Sequence, residues 1–319
     1  MKNIHHNSPT KCNTNTIRLH VPGTVANMVC GFDILGMAIS EPYDVMDFKL
    51  LNEKKVIIHH TDNFNLPTEP EKNVAGIVLL EILKNIKENI GFEVSICKNI
   101  KPGSGLGSSA ASAAGAAFGA NELLGKIFSP TEMVHYAMFG EELASGVKHA
   151  DNIAPCIFGG VTLVKSTLPL DIIPLASPHL FVTAVHPQVE VKTSDARQIL
   201  KKDIKLKDAI TQWGNVAGLV AGIMKNDYPL IGRSLQDVII EPVRSILIPA
   251  FGEIKAKSLE LGALGGGISG SGPSIFMLSE NEKIAQNIAK AMEEIYNNIG
   301  VDNFVYVSKI NDTGIKIIN

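Results

Sequence analysis

Hydrophobic and polar positions change period several times along the chain, and each change marks an element. Residues 92–97 alternate apolar and polar, the signature of a strand with one buried face. Residues 17–21, 56–60 and 160–164 are β-branched runs bounded by polar or turn-forming segments and also predict strands. Over 73–89 the apolar residues Val74, Ile77, Val78, Leu80, Ile82 and Leu83 follow a helical rather than an alternating pattern. A small-residue helix is predicted over 108–124. Ser129, Pro130 and Glu132 form a capping box with proline in the first turn, opening a helix that runs to about Ala144 and stops at Ser145-Gly146.

Residues 165–178 hold three prolines and little periodicity, so a domain boundary is expected there, at 168/169. Beyond it the pattern predicts a strand at 180–185 and helices at 194–201, 206–225, 228–239 and 249–261. A strand at 274–278, a helix at 282–299 with Ile284, Ile288, Met292 and Ile295 on one face, and a strand at 304–309 close the chain. Helices and strands interleave in both halves, so the fold class is α+β, or mixed α/β. The expected organisation is a polar, disordered extension over 1–16, one domain over 17–168 and a second over 169–319.

Composition narrows the function classes. The 29 Lys and Arg nearly balance 32 Asp and Glu, giving a net charge of −3 in 319 residues. That argues against a nucleic-acid partner or an anionic membrane surface, both of which favour a strong basic excess. No stretch has the roughly 18–20 apolar residues of a membrane span, and no apolar core of a signal peptide is visible. Cys12, Cys30, Cys97 and Cys156 have neither zinc-ligand spacing nor the density of a disulfide scaffold, so a reduced, cytoplasmic setting is expected. His59 and His60, adjacent in a strand, point to opposite faces and cannot chelate one ion.

The 28 glycines matter more, because many fall in two clusters. The first reads Pro102, Gly103, Ser104, Gly105, Leu106, Gly107, Ser108, Ser109, between a predicted strand and a predicted helix. Its glycines permit positive φ and close approach of a ligand, and its serines open a helix whose free N–H groups and dipole favour an anion. Ser112 follows one turn later. This is the specification of a polyphosphate cradle, with a functionless Gly-rich turn as the alternative. The spacing G-x-G-x-G is neither the dinucleotide fingerprint G-x-G-x-x-G nor a Walker A loop.

The same eight residues closely resemble the phosphate-binding motif of the GHMP kinases, a family of small-molecule kinases. Two more stretches in the expected order add to the resemblance. Val21 through Gly36, containing Asn27 and Asp33, looks like that family's first motif. Gly265 through Pro273, containing Gly267 and Ser269, looks like its third. Further signatures resemble the branch that phosphorylates homoserine: Asn27 with Asp33, the run His149-Ala150-Asp151-Asn152, Thr193 through Arg197, and Glu241 through Arg244.

The resemblance implies a ribosomal-S5-like N-terminal domain and a ferredoxin-like C-terminal domain with the active site between them. It implies ATP and Mg²⁺ as cofactors, L-homoserine as acceptor on the route to threonine, and a possible homodimer. A zwitterionic amino acid needs acids for its ammonium and cations for its carboxylate. Asp33 and Asp151 suit the first task and Arg197 and Arg244 the second, with Asn27, His149 and Asn152 completing a polar lining. The implied metal ligands are Ser109 and Glu141. Glu141 and Glu142 lie about 100° apart on a helix, so one alone can face the site. Several relatives use an aspartate as base where this chain has Asn152, which cannot accept a proton at neutral pH. In-line attack with the proton passing to a phosphate oxygen is therefore expected, with Thr193 and Arg197 holding substrate or the transferred group. Asn73 is the one residue named for adenine. The rivals are a sugar or isoprenoid-alcohol kinase of the same family, a silent nucleotide or amino-acid sensor, and, third, a dinucleotide oxidoreductase.

Overall fold

The computed structural model describes residues 15–191 and 193–318, with backbone alone for 193–195. The expected extension over 1–16 lies almost wholly outside these residues, as does Cys12. The chain enters with two long strands, β1 (Thr16–Ala26) and β2 (Leu35–Leu51), then β3 (Val56–His60), α1 (Val74–Asn85) and β4 (Gly91–Cys97). The helices α2 (Ser108–Leu123), α3 (Pro130–Ser145) and α4 (Ile153–Phe158) follow, then the hairpin β5 (Val161–Thr167) and β6 (Leu170–Leu175). These strands, with one from the end of the chain, make a seven-stranded sheet in which β1–β2–β4–β3 are neighbours and β5 pairs with both β2 and β6.

The second unit opens with β7 (Phe181–Pro187), followed by α5 (Thr193–Gln198), α6 (Leu206–Lys225), α7 (Tyr228–Ser234), α8 (Glu241–Arg244) and α9 (Phe251–Glu260). Next come β8 (Gly265–Ile268), β9 (Ile275–Ser279), α10 (Glu282–Asn298) and β10 (Asn303–Lys309). The last strand, β11 (Lys316–Ile318), returns to pair with β1. The order β10–β7–β9–β8, all antiparallel, is the ferredoxin-like arrangement. Its core is Val185, Ile254, Ile275, Ile288, Met292 and Tyr296.

Local chemistry fixes the elements that carry the site. Ser129 and Glu132 form the capping box of α3, and Pro130 is its first residue. The Ala/Gly composition of α2 follows from its seat directly on β2, where a Cβ on Gly115 would come within 2.3 Å of the Met46 sulfur. That close seat delivers the N-terminus of α2 to the cleft.

Three expectations need correction. The strand β2 was not expected, because Glu41-Pro42 breaks its pattern. The ladder with β1 passes from Pro22↔Tyr43 to Gly23↔Ile39, so Pro42 lies in a bulge where its missing N–H costs no ladder bond. The boundary at 168/169 falls inside the β5–β6 hairpin, and β6 extends the first sheet to Leu175. The helix expected over 228–239 ends at Ser234. Asp237 then accepts the backbone N–H groups of Ile239, Ile240 and Glu241, and a separate turn, α8, begins there.

Candidate active site

The first glycine cluster forms a loop from β4 into α2. Gly103, Gly105 and Gly107 all have positive φ, at 76°, 84° and 72°. Gly107 is the N-cap of α2, and a Cβ there would lie 2.0 Å from the Thr24 hydroxyl. A Cβ on Gly105 would lie 2.6 Å from the Ser269 carbonyl oxygen and 2.7 Å from that of Gly272. Both positions therefore require glycine on conformational and steric grounds.

The three motifs meet around this loop. Ser269 donates its hydroxyl to the Gly105 carbonyl (2.7 Å), and the Ser274 N–H donates to the Ser104 carbonyl (3.2 Å). The Gly270 carbonyl accepts from Asn27 Nδ2 (2.8 Å) and from an Arg244 guanidinium N–H (3.2 Å). Asn27 in turn holds Asp33, whose backbone N–H donates to Asn27 Oδ1 (2.9 Å). The loop between β1 and β2 carries Asn27, Met28, Val29 and Asp33 at positive φ, a concentration of backbone strain typical of a ligand-contacting segment.

These parts surround one cleft of about 390 Å³. Its wall includes Pro102, Gly103, Gly105, Gly107, Ser108, Ser109 and Ser112 from the loop and α2. Glu141 reaches it from α3; His149, Asp151 and Asn152 come from the turn before α4, and Arg197 and Arg244 from the second unit. Glu141 accepts the Ser109 hydroxyl (3.0 Å), whereas Glu142 points away and pairs with Lys148 in solvent. Burial pushes the Glu141 carboxyl above its ordinary range. A hydroxyl beside one confined carboxylate, next to the glycine loop and the N-terminus of α2, is a donor set that fits Mg²⁺. Among the described residues no group of three or more His, Cys, Asp or Glu is placed to hold a metal on its own.

Opposite charges converge at the other end. Arg197 donates to both Asp33 carboxylate oxygens (3.0 and 3.1 Å) and approaches His149 Nε2 at 2.9 Å. Burial lowers the His149 pKa, and the neutral ring accepts from the guanidinium. Arg244 is 4% exposed; its Nε donates to the Ala196 carbonyl (2.8 Å) and its guanidinium lies 5.0 Å from the Phe32 ring centre. Burial, with Asp33 and Glu141 nearby, pushes the Asp151 carboxyl up to about 7. Asn152 Oδ1 accepts the Thr24 hydroxyl (2.8 Å).

Several expected residues stand elsewhere. Ser104 and Leu106 are buried beneath the loop, and Leu106 belongs to the hydrophobic core. Gly267 lies inside β8 and Ser269 braces the loop, so the second cluster reaches the cleft through Gly270 and Ser271 instead. Asn73 lines the cleft, but all its polar positions are taken. Its oxygen caps α1 through Ala75 and Gly76, and its amide donates to the Pro67 carbonyl and contacts His60. Thr193 opens α5, and its side chain lies outside the described residues. Composition did not single out Lys98, Phe32 or His60, all of which line the cleft.

Comparison with known proteins decides the family. Residues 73–160 match the GHMP kinases N terminal domain and residues 219–298 the GHMP kinases C terminal domain. A homoserine kinase of Chloroherpeton thalassium is 44% identical over 93% of this chain and 98% of its own. The chain belongs to the homoserine kinases of the GHMP family. The crystal structure of homoserine kinase from Cytophaga hutchinsonii superposes with a TM-score of 0.92 at 46% identity, covering 98% of this chain and 100% of that one. A mevalonate kinase of L. major shares the fold at a TM-score of 0.69 and 16% identity, covering 96% and 98% of the two chains. GHMP membership brings ATP as the phosphoryl donor. No helix among the described residues is long and apolar enough to cross a membrane.

Proposed function

We propose that this GHMP kinase transfers the γ-phosphoryl group of ATP to the hydroxyl of L-homoserine, giving ADP and O-phospho-L-homoserine on the route to threonine. The observation that carries the reading is the convergence of both charge signs, Asp33 and Asp151 with Arg197 and Arg244, beside the glycine loop in one cleft. A neutral sugar has no use for either sign, and mevalonate, a carboxylate without an ammonium, has no use for the acids.

In this reading the loop from Gly103 to Gly107 and the start of α2 cradle the phosphates, and Ser109 and Glu141 hold Mg²⁺. The metal would offset charge on the β- and γ-phosphates. The ammonium of homoserine pairs with Asp33 and Asp151, and its carboxylate with Arg244 and Arg197. Since Arg197 already pairs with Asp33, the incoming zwitterion exchanges one internal ion pair for two external ones at little net cost in charge burial. The substrate hydroxyl attacks the γ-phosphorus in line, the bond to the β–γ bridging oxygen breaks, and the hydroxyl proton passes to a phosphoryl oxygen. Asn152, held by Thr24, aligns the acceptor and takes no proton. Asn73 belongs to the adenine end as the cap that fixes α1. The same reading includes a cytoplasmic homodimer.

Replacing the buried arginine tests the assignment. Arg244→Leu is expected to raise KM for homoserine by 100-fold or more, on the order of the ~3 kcal/mol lost with a charge-assisted pair, and to leave KM for ATP near its starting value. Unchanged homoserine kinetics would remove the carboxylate role from Arg244.

A further inference from the structure

A second cavity, of about 620 Å³, adjoins the cleft and shares Pro102, Gly103, Ala144 and Ser145 with it. A Cβ on Gly103 would meet nothing within 4 Å, so the shared wall is open there. The rest of its lining comes from both units. Lys101 stands at the root of the glycine loop, and His186, Gln188 and Glu190 belong to the end of β7 and the segment after it. None of these four has a part in the phosphoryl transfer proposed above.

Lys98 and Lys101, three residues apart, meet different surroundings. Lys98 is answered by Asp44. Lys101 is half-buried and pairs with no carboxylate among the described residues. Its ammonium donates to Gln188 Oε1, a neutral oxygen, which takes one of its three N–H groups. Gln188 turns its amide nitrogen to His186, donating to the backbone carbonyl (3.0 Å) and to Nδ1 (3.1 Å). Since Nδ1 accepts, the ring proton sits on Nε2. That N–H has no partner among the described residues, although His186 is only 3% exposed and borders the cavity. Burial and the nearby Lys101 push the His186 pKa down to about 4, so the ring is neutral at pH 7.

We propose that this second cavity binds a phosphate-class oxyanion on the Lys101 ammonium and the His186 Nε2–H, and that the phosphorylated product pauses there on leaving the cleft. A buried N–H without an acceptor costs free energy that a bound acceptor recovers. One tetrahedral oxyanion takes that N–H together with the spare N–H groups of Lys101, and the hydrogen bond to the ammonium is charge-assisted. Gln188 touches both donors, so they are separated by a single amide group and held before any ligand arrives. Place favours phosphate over a carboxylate, because the cavity opens onto the cleft beside the glycine loop. Glu190, exposed at the rim, has the wrong sign for a bare dianion but suits an ammonium. A phosphate monoester that also carries an ammonium therefore fits better than free phosphate. The oxyanion site rests on Lys101 and His186 alone; only its use for the product rests on the functional reading.

The test first fills the cleft of the full-length protein with Mg²⁺ and a non-hydrolysable ATP analogue. Inorganic phosphate is then expected to bind at one site, with a Kd on the order of 1 mM by calorimetry. Lys101→Met and, separately, His186→Phe should each weaken it about tenfold or more, while Lys101→Arg, which keeps the charge, should retain most of it. The Kd for the analogue should stay within about twofold and circular dichroism should match the parent. O-phospho-L-homoserine should compete with the phosphate, and Glu190→Gln should weaken the monoester but not the phosphate. Phosphate binding that disappears when the cleft is filled, or that ignores both Lys101→Met and His186→Phe, overturns the site. Phosphate binding without competition from the monoester overturns the product station and leaves the cavity to free phosphate. The phosphate titration needs no turnover, so its failure is distinct from failure of the homoserine reading.

Discussion

Asp151 is the residue whose chemistry most exceeds its charge. A buried carboxyl with a pKa of about 7, against an ordinary 3.8, binds its proton more tightly folded than unfolded. Its burial therefore costs nothing below pH 4, and the cost grows as pH rises toward 7. Asp151→Asn is expected to melt higher than the parent at pH 8, with the difference closing toward pH 4. In the proposed reading binding has the opposite preference, because the substrate ammonium pairs with the ionised form. KM for homoserine should rise up to about tenfold per pH unit below 7, KM for ATP should stay flat, and Asp151→Asn should lose the slope. A slope in kcat alone would assign Asp151 to the proton rather than the ammonium. Glu141→Gln keeps a partner for Ser109 but removes the charge. It should raise the Mg²⁺ concentration needed for half-maximal rate at least tenfold and leave KM for homoserine within about twofold, as a magnesium titration would read.

At the scale of elements, the glycine loop is held at both ends by one buried ion pair. Asp44 on β2 accepts the backbone N–H groups of Asn99 (2.8 Å) and Ile100 (2.9 Å), just before the loop. Its other oxygen pairs with Lys98, whose ammonium also donates to the Ser108 carbonyl (2.7 Å) and the Ser112 hydroxyl (2.9 Å), just after it. Lys98→Met would leave Asp44 charged and unpaired in the interior and should cost ~3–5 kcal/mol in urea unfolding. Adding Asp44→Asn should recover part of that loss, and strict additivity of the two substitutions would deny the coupling. The loop itself was legible in the sequence, since the Gly and Ser spacing is local backbone chemistry. So was the capping box of α3, whereas helix geometry said only that one of Glu141 and Glu142 could face the cleft, and the family resemblance named Glu141. The clamp was not. Lys98 and Asp44 are 54 residues apart, and nothing local says that a lone lysine after a strand will be buried. The second glycine cluster misled for a related reason: which of its residues reach the cleft depends on β8 pairing with β9, and that pairing turns Gly267 inward and leaves Gly270 at the rim.

For the whole molecule, the two sheets each contribute what the other lacks. The first unit brings the glycine loop, Glu141 and the acids, while the second brings Arg197 and Arg244, and the Gly270 carbonyl joins them through Asn27 and Arg244. The ferredoxin-like order of the second unit was implied by the family resemblance, but β6, which extends the first sheet, and β11, which ties the far end of the chain to it, are too short and irregular to read. L-homoserine is the proposed acceptor. The direct test is ADP release with Mg·ATP across L-homoserine, D-homoserine, L-serine, galactose and mevalonate. Turnover selective for L-homoserine is the predicted result, and preferential turnover of galactose or mevalonate would contradict the account.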